Sequence, residues 1–107
     1  MYIPKKNYKE ETLENGVGRT VLSYGDSLMT VRFNFKKGQV GDVHQHKHEQ
    51  STYILSGKFE FEINGVKHIC EEGDSLFFLS NTPHGCVCLS DGILIDSFTP
   101  LRKDFLK

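Results

Sequence analysis

The side chains most able to do chemistry are gathered in one run, "GDVHQHKHEQSTYILSG", Gly41 to Gly57, where His44, His46 and His48 alternate with other residues and Gln50 follows. In extended backbone, alternate side chains share a side at a spacing of about 7 Å. His44 and His46 can therefore converge on one ion. Imidazole nitrogen suits the divalent states of Zn, Fe, Ni, Mn and Cu. His48 continues the alternation and could substitute for either if the register slipped, and His68, beside a hairpin, is expected to be solvated. "HGCVC", His84 to Cys88, places thiols beside an imidazole. A soft metal site would need a matching cysteine pair, and the one other cysteine is Cys70, so the reading is small residues on the two sides of a strand turn. An odd cysteine count with this spacing gives no disulfide framework.

A second group lies near the end of the chain, in "ILIDSFTPLRKDF". Leu94, Asp96 and Phe98 share one face, which puts a carboxylate in an otherwise apolar strand. A buried aspartate is costly unless it is paired or functional. Arg102, just past Pro100, is near enough to pair with Asp96 or to close over the mouth of the fold. A structural ion pair pinning the tail and a catalytic role are both open.

The elements that must position these groups are strands. In "LMTVRFNF", Met29, Val31, Phe33 and Phe35 occupy one face and Thr30, Arg32 and Asn34 the other. "KFEFEINGVKHI" alternates in the same way and then turns at Asn64-Gly65, the strongest short hairpin signal, which makes residues 58–70 a hairpin. Further strands are expected at Ser75 to Leu79, Gly85 to Leu89 and Ile93 to Phe98, the last two separated by an Asp91-Gly92 turn. "YKEETLENG" can supply at most a turn or two of helix. Short antiparallel strands at regular spacing predict an all-β sandwich or barrel.

The 107 residues make one domain, with no linker, low-complexity segment or internal repeat. Thirteen basic and 14 acidic residues give a net charge of −1, which offers nucleic acid or an anionic membrane no concentrated positive charge. The longest strongly apolar run, "LFFL", is far short of the roughly 20 residues of a membrane span. The N-terminal residues are polar and lack the apolar stretch of a secretion signal, so a cytoplasmic protein is expected.

The spacing of these residues resembles the cupin family. Its first motif maps onto Gly38, His44, His46, Gln50 and Gly57 with every interval kept and glutamine in place of glutamate. Its second maps onto Gly73, Leu79, Asn81, His84 and Cys88, where Leu79, Asn81 and Cys88 depart from the usual proline, glycine and asparagine. The resemblance covers about residues 28–100. It implies a double-stranded β-helix, or jelly-roll barrel, often dimeric, around one divalent transition metal such as Ni, Zn, Fe or Mn. His44, His46, Gln50 and His84 are the implied ligands. A glutamate ligand would cancel one positive charge of the ion; Gln50 leaves both, which favours an anionic ligand in the open position.

A narrower resemblance joins the histidine run to the ending "DSFTPLRKDFL". Cupins of the KdgF type carry a His-x-His-x-His-Glu-Gln run and an Asp-x-Phe-x-Pro-x-Arg-x-Asp ending. They turn 4,5-unsaturated uronates from pectin or alginate breakdown into linear keto-uronates. The likeness implies a small anionic sugar as substrate, Asp96 and Arg102 as catalytic residues, and Phe98, Thr52 and Tyr53 as substrate contacts. Other readings are a non-catalytic sugar- or small-molecule-binding cupin, or a dioxygenase or isomerase acting elsewhere, and fold alone does not choose among them.

Overall fold

The computed structural model describes residues 1–106. Eight strands follow in order: β1 (Glu10–Thr12), β2 (Gly18–Tyr24), β3 (Met29–Phe35), β4 (Val40–His44), β5 (Glu49–Ile63), β6 (Val66–Glu71), β7 (Ser75–Phe78) and β8 (His84–Thr99). Short 3-10 turns at Lys5–Asn7 and Lys103–Phe105 flank them. The all-β expectation holds, and every strand pair is antiparallel. Part of the segment expected to supply a turn of helix is β1, because Glu10 to Thr12 find ladder partners in Thr20 to Gly18. Among the described residues no helix is long and apolar enough to cross a membrane.

The fold turns on two long strands. Residues 84–99 form one continuous strand, so Asp91-Gly92 is not the hairpin turn expected from the sequence. It is a corner instead. Opposite it, β5 breaks register repeatedly between Ile54 and Phe59. Gly57 there has φ +84°, and a Cβ on it would lie 2.5 Å from the Asp91 carbonyl. A Cβ on Gly92 would lie 2.5 Å from the Ser56 carbonyl. Paired glycines thus let two backbones touch where both bend, which a hairpin signal read locally cannot reveal.

Each long strand consequently serves two leaves. The late half of β8 pairs with β3 and the early half of β5, extending one leaf from β1 and β2 across to β7. The early half of β8 pairs with β4 and the late half of β5, which carries β6. The hydrogen-bonded sheet does not close on itself: it is an open jelly roll. The β5–β6 hairpin matches expectation, with Ile63 opposite Val66 and Asn64 and Gly65 at φ 51° and 80°, the positive values a type I′ turn requires.

Two apolar clusters fill the interior. One holds Val17, Phe35, Ile54, Phe59, Phe61, Phe78 and Leu94. The other joins Met29, Val31 and Phe98 to Phe105 of the C-terminal segment. The alternation read in β3 is visible in the burial of Met29, Val31 and Phe35. Full burial of a side chain such as Phe59 contributes about 2–3 kcal/mol. The candidate site lies between the clusters, so their packing sets its walls.

Candidate metal centre and its cavity

Two strand ends and the link between β4 and β5 bring the histidines together. His44 closes β4, His84 opens β8, and the β4–β8 ladder sets them opposite each other after a register shift from Gly41. The approach depends on Gly85, where a Cβ would lie 2.8 Å from both the Gly41 carbonyl and the Val43 amide nitrogen. His46 stands in the link to β5, whose second residue is Gln50. The convergence is therefore made by a bend after β4 and not by one extended run. Ring centroids are 5.3 Å apart for His44–His46, 4.6 Å for His44–His84 and 5.0 Å for His46–His84. One nitrogen from each ring lies within 4.8 Å of the others, in position to hold a metal ion.

Hydrogen bonds fix which nitrogen that is. Nδ1 of His44 donates to the Asp42 carbonyl at 2.9 Å, that of His46 to the His48 carbonyl at 2.9 Å, and that of His84 to the Thr82 carbonyl at 2.8 Å. A carbonyl can only accept, so each Nδ1 carries the proton and each Nε2 presents a lone pair. This is the tautomer a ligand needs. His84 Nε2 is buried without any partner, an expense that an ion would remove. Gln50 donates from its amide nitrogen to the Thr52 hydroxyl at 3.0 Å, leaving Oε1 3.1 Å from His46 Nε2. Two acceptors thus face each other, an arrangement that a cation between them turns from repulsive to favourable. Burial lowers the pKa of His46 and takes that of His84 down to about 4, so both rings are neutral and ready to ligate at neutral pH.

His44, Gln50 and His84 open on a cavity of about 210 Å³ that also receives Asp96, Phe98, Arg102, Cys86, Arg19 and Phe105. Asp96 is buried and its Oδ1 has no partner. Burial pushes its carboxyl up to about 7, against the opposing effects of hydrogen bonding from Thr52 and the charge of Arg102. It is not paired with Arg102. That guanidinium grips Asp104 instead, through Nε at 3.3 Å and Nη2 at 3.2 Å, and lies over the rings of Phe98 and Phe105. Phe98 meets the His46 ring edge-on at 6.0 Å and so joins the two ends of the cavity.

The remaining expected residues divide cleanly. Thr52 is fully buried behind the cavity wall, opposite Asp96 in the β5–β8 ladder, and braces both Gln50 and Asp96. Tyr53 is 45% exposed on the outer face of β5, because the strand alternates and Gln50, Thr52 and Ile54 point inward. His48 uses Nε2 to donate to the Leu101 carbonyl at 3.1 Å, tying down the C-terminal segment. His68 is exposed, as expected. Cys86 and Cys88 lie within β8 and not around a turn; burial pushes the Cys86 thiol up to about 12, which leaves it inert. The sequence reading missed Arg19 and Phe105. A signal for Arg19 existed: Val17, Arg19 and Val21 alternate as Leu94, Asp96 and Phe98 do, placing a charge on an apolar face.

An open jelly roll with three convergent histidines at the mouth of its core defines a class, and a cupin domain model matches residues 31–95. The chain belongs to the cupin family. Among its relatives is the pectin degradation protein KdgF of Dickeya dadantii (strain 3937), 42% identical over 98 residues that span 90% of this chain and 89% of that one. The crystal structure of an RmlC-like cupin from Shewanella frigidimarina NCIMB 400 superposes with a TM-score of 0.94 at 37% identity, covering 98% of this chain and 95% of the other. KdgF from Halomonas sp. superposes with a TM-score of 0.93 at 34% identity, covering 99% and 98%. The chain is thus a homologue of KdgF over nearly its whole length.

Proposed function

We propose that this cupin is a metal-dependent enzyme that converts 4,5-unsaturated uronates, as released in pectin or alginate breakdown, into linear keto-uronates. The observation that carries the reading is Asp96, a buried and incompletely paired carboxyl facing the same cavity as the histidine cluster. His44, His46, His84 and the carbonyl oxygen of Gln50 would hold one divalent Ni, Zn, Fe or Mn ion, whose chemistry is that of a Lewis acid toward substrate oxygens. A binding module would have no use for an uncompensated acid in that position.

The reaction is an isomerisation. A proton leaves the C1 hydroxyl as the bond from C1 to the ring oxygen breaks; the bonding pair passes to that oxygen as the enolate of C4 and C5. A proton added at C4 then completes the ketone. Asp96, with its pKa near neutrality, is suited to accept the first proton and deliver the second. Arg102 holds the carboxylate on C5, next to the oxygen where the enolate charge develops. Phe98 and Phe105 give the cavity apolar walls beside Asp96 and Arg102.

Unsaturated galacturonate should lose its conjugated ultraviolet absorbance faster with the metal-loaded protein than without it. Asp96→Asn should reduce the gain by about 100-fold or more, the usual scale of general acid–base catalysis. Unchanged decay with active wild type would remove Asp96 from the mechanism, and oxygen uptake on another substrate would favour a dioxygenase. The same reading carries a homodimer, checked by sedimentation.

A further inference from the structure

Arg19 is a second arginine in the cavity, on a different strand from the C-terminal segment that carries Arg102. Its guanidinium carbon lies 4.0 Å from the centre of the Phe105 ring, while that of Arg102 lies 4.4 Å from the same ring. One aromatic side chain therefore gathers two cations. Their hydrogen bonding is not alike. Arg102 has committed its Nε and Nη2 edge to Asp104. Arg19 has a single long ion pair, Nη2 to Glu11 Oε1 at 3.5 Å, and its buried Nε has no partner.

Both guanidiniums bring positive charge to the same cavity, and an unpartnered buried N–H adds a further cost. An anion bound in the cavity would relieve both. Among the described residues the cavity supplies no free carboxylate to do this, since Glu11 and Asp104 lie outside it and burial pushes the Asp96 carboxyl up to about 7. Arg102 lies over the Phe98 ring, which meets His46 edge-on, whereas Arg19 lies over Phe105. Arg19 accordingly marks the end of the cavity away from the histidines.

We infer that Arg19 and Arg102 form a two-arginine subsite for the ligand's carboxylate, with Arg19 the residue that makes the cavity select acids over their neutral esters. The inference rests on the uronate reading above for the identity of the substrate, but not for the chemistry recognised. At about 210 Å³ the cavity lies below the roughly 300–1,000 Å³ of drug-sized pockets, which fits a single sugar acid and not an oligomer. Arginine is suited to the role because its planar donors can share a carboxylate with a neighbour.

The test compares galacturonate with its methyl ester, neither of which can react, by calorimetric titration of metal-loaded wild type, Arg19→Met and Arg19→Lys. Wild type should prefer the acid; Arg19→Met should lose about 10- to 100-fold of that preference while ester binding stays unchanged, and Arg19→Lys should keep part of it. Retention of the full acid-over-ester ratio in Arg19→Met would overturn the inference, as would equal binding of both by wild type. Equal loss of acid and ester binding would also overturn it, marking Arg19 as a packing residue. Turnover of unsaturated galacturonate is measured separately. Wild type that is inactive there but prefers the acid sinks the proposed reaction and leaves the subsite standing.

Discussion

The two ends of the cavity are built by opposite means. At the histidine end, each ring is anchored by a carbonyl two residues away, so the chain's local course nearly determines where each Nε2 points. At the arginine end, Arg19 from β2 meets Phe105 from the C-terminal segment, and His48 reaches across 53 residues to the Leu101 carbonyl. Local anchoring makes a rigid donor set that exists before any ion arrives. Anchoring through a terminal segment makes a wall that depends on tertiary contacts, and changes at the two ends should separate metal binding from substrate binding.

The largest separation is expected from His84→Ala. Wild type should hold about one divalent ion per chain by elemental analysis, and the variant should lose it by more than the roughly 100-fold that removal of an outer-shell partner costs. Gln50→Glu should act in the other direction. A carboxylate at 3.1 Å from His46 Nε2 adds negative charge, so the ion should bind more tightly and an anionic sugar less tightly. Tighter binding of both would mean that Gln50 does not set the charge of the centre.

Asp96 offers a stability measurement midway between the ends. Its folded pKa is about 7 against an ordinary value of 3.8. Between those values the folded state keeps a proton the unfolded state has released, so stability falls as pH rises through the window and levels off above it. Asp96→Asn removes that dependence. In metal-free protein the variant should be the more stable by a few kcal/mol at about pH 8 and lose its advantage by about pH 4, read from denaturant midpoints. A gap independent of pH would mean that Asp96 is charged in the folded protein.

The same contrast governs what could be read from the sequence. His44, His46, Gln50 and His84 announce themselves because motif spacing records local geometry, and the Asn64-Gly65 turn does so because positive φ limits the residues that fit. Asp91-Gly92 misled for the converse reason. Its glycine answers to Gly57 on another strand, a close approach that no local window contains. Tyr53 was a matter of parity, since one step along β5 from Thr52 reverses the face. Arg19 and Phe105 become site residues only when β2 and the C-terminal segment meet.

His48 gives the finest discrimination between the ends, because it belongs to the histidine run by sequence and to the arginine end by contact. Its Nε2–H holds the Leu101 carbonyl, one residue before Arg102, while its own carbonyl accepts the Nδ1 proton of His46. Replacing the side chain leaves that carbonyl, and hence the His46 tautomer, in place. His48→Ala should therefore keep its metal, lose about 1 kcal/mol of stability from the missing hydrogen bond, and weaken galacturonate binding as Arg102 loses its tether. Loss of the ion instead, with sugar affinity intact, would make His48 part of the centre and dissolve the division between the two ends.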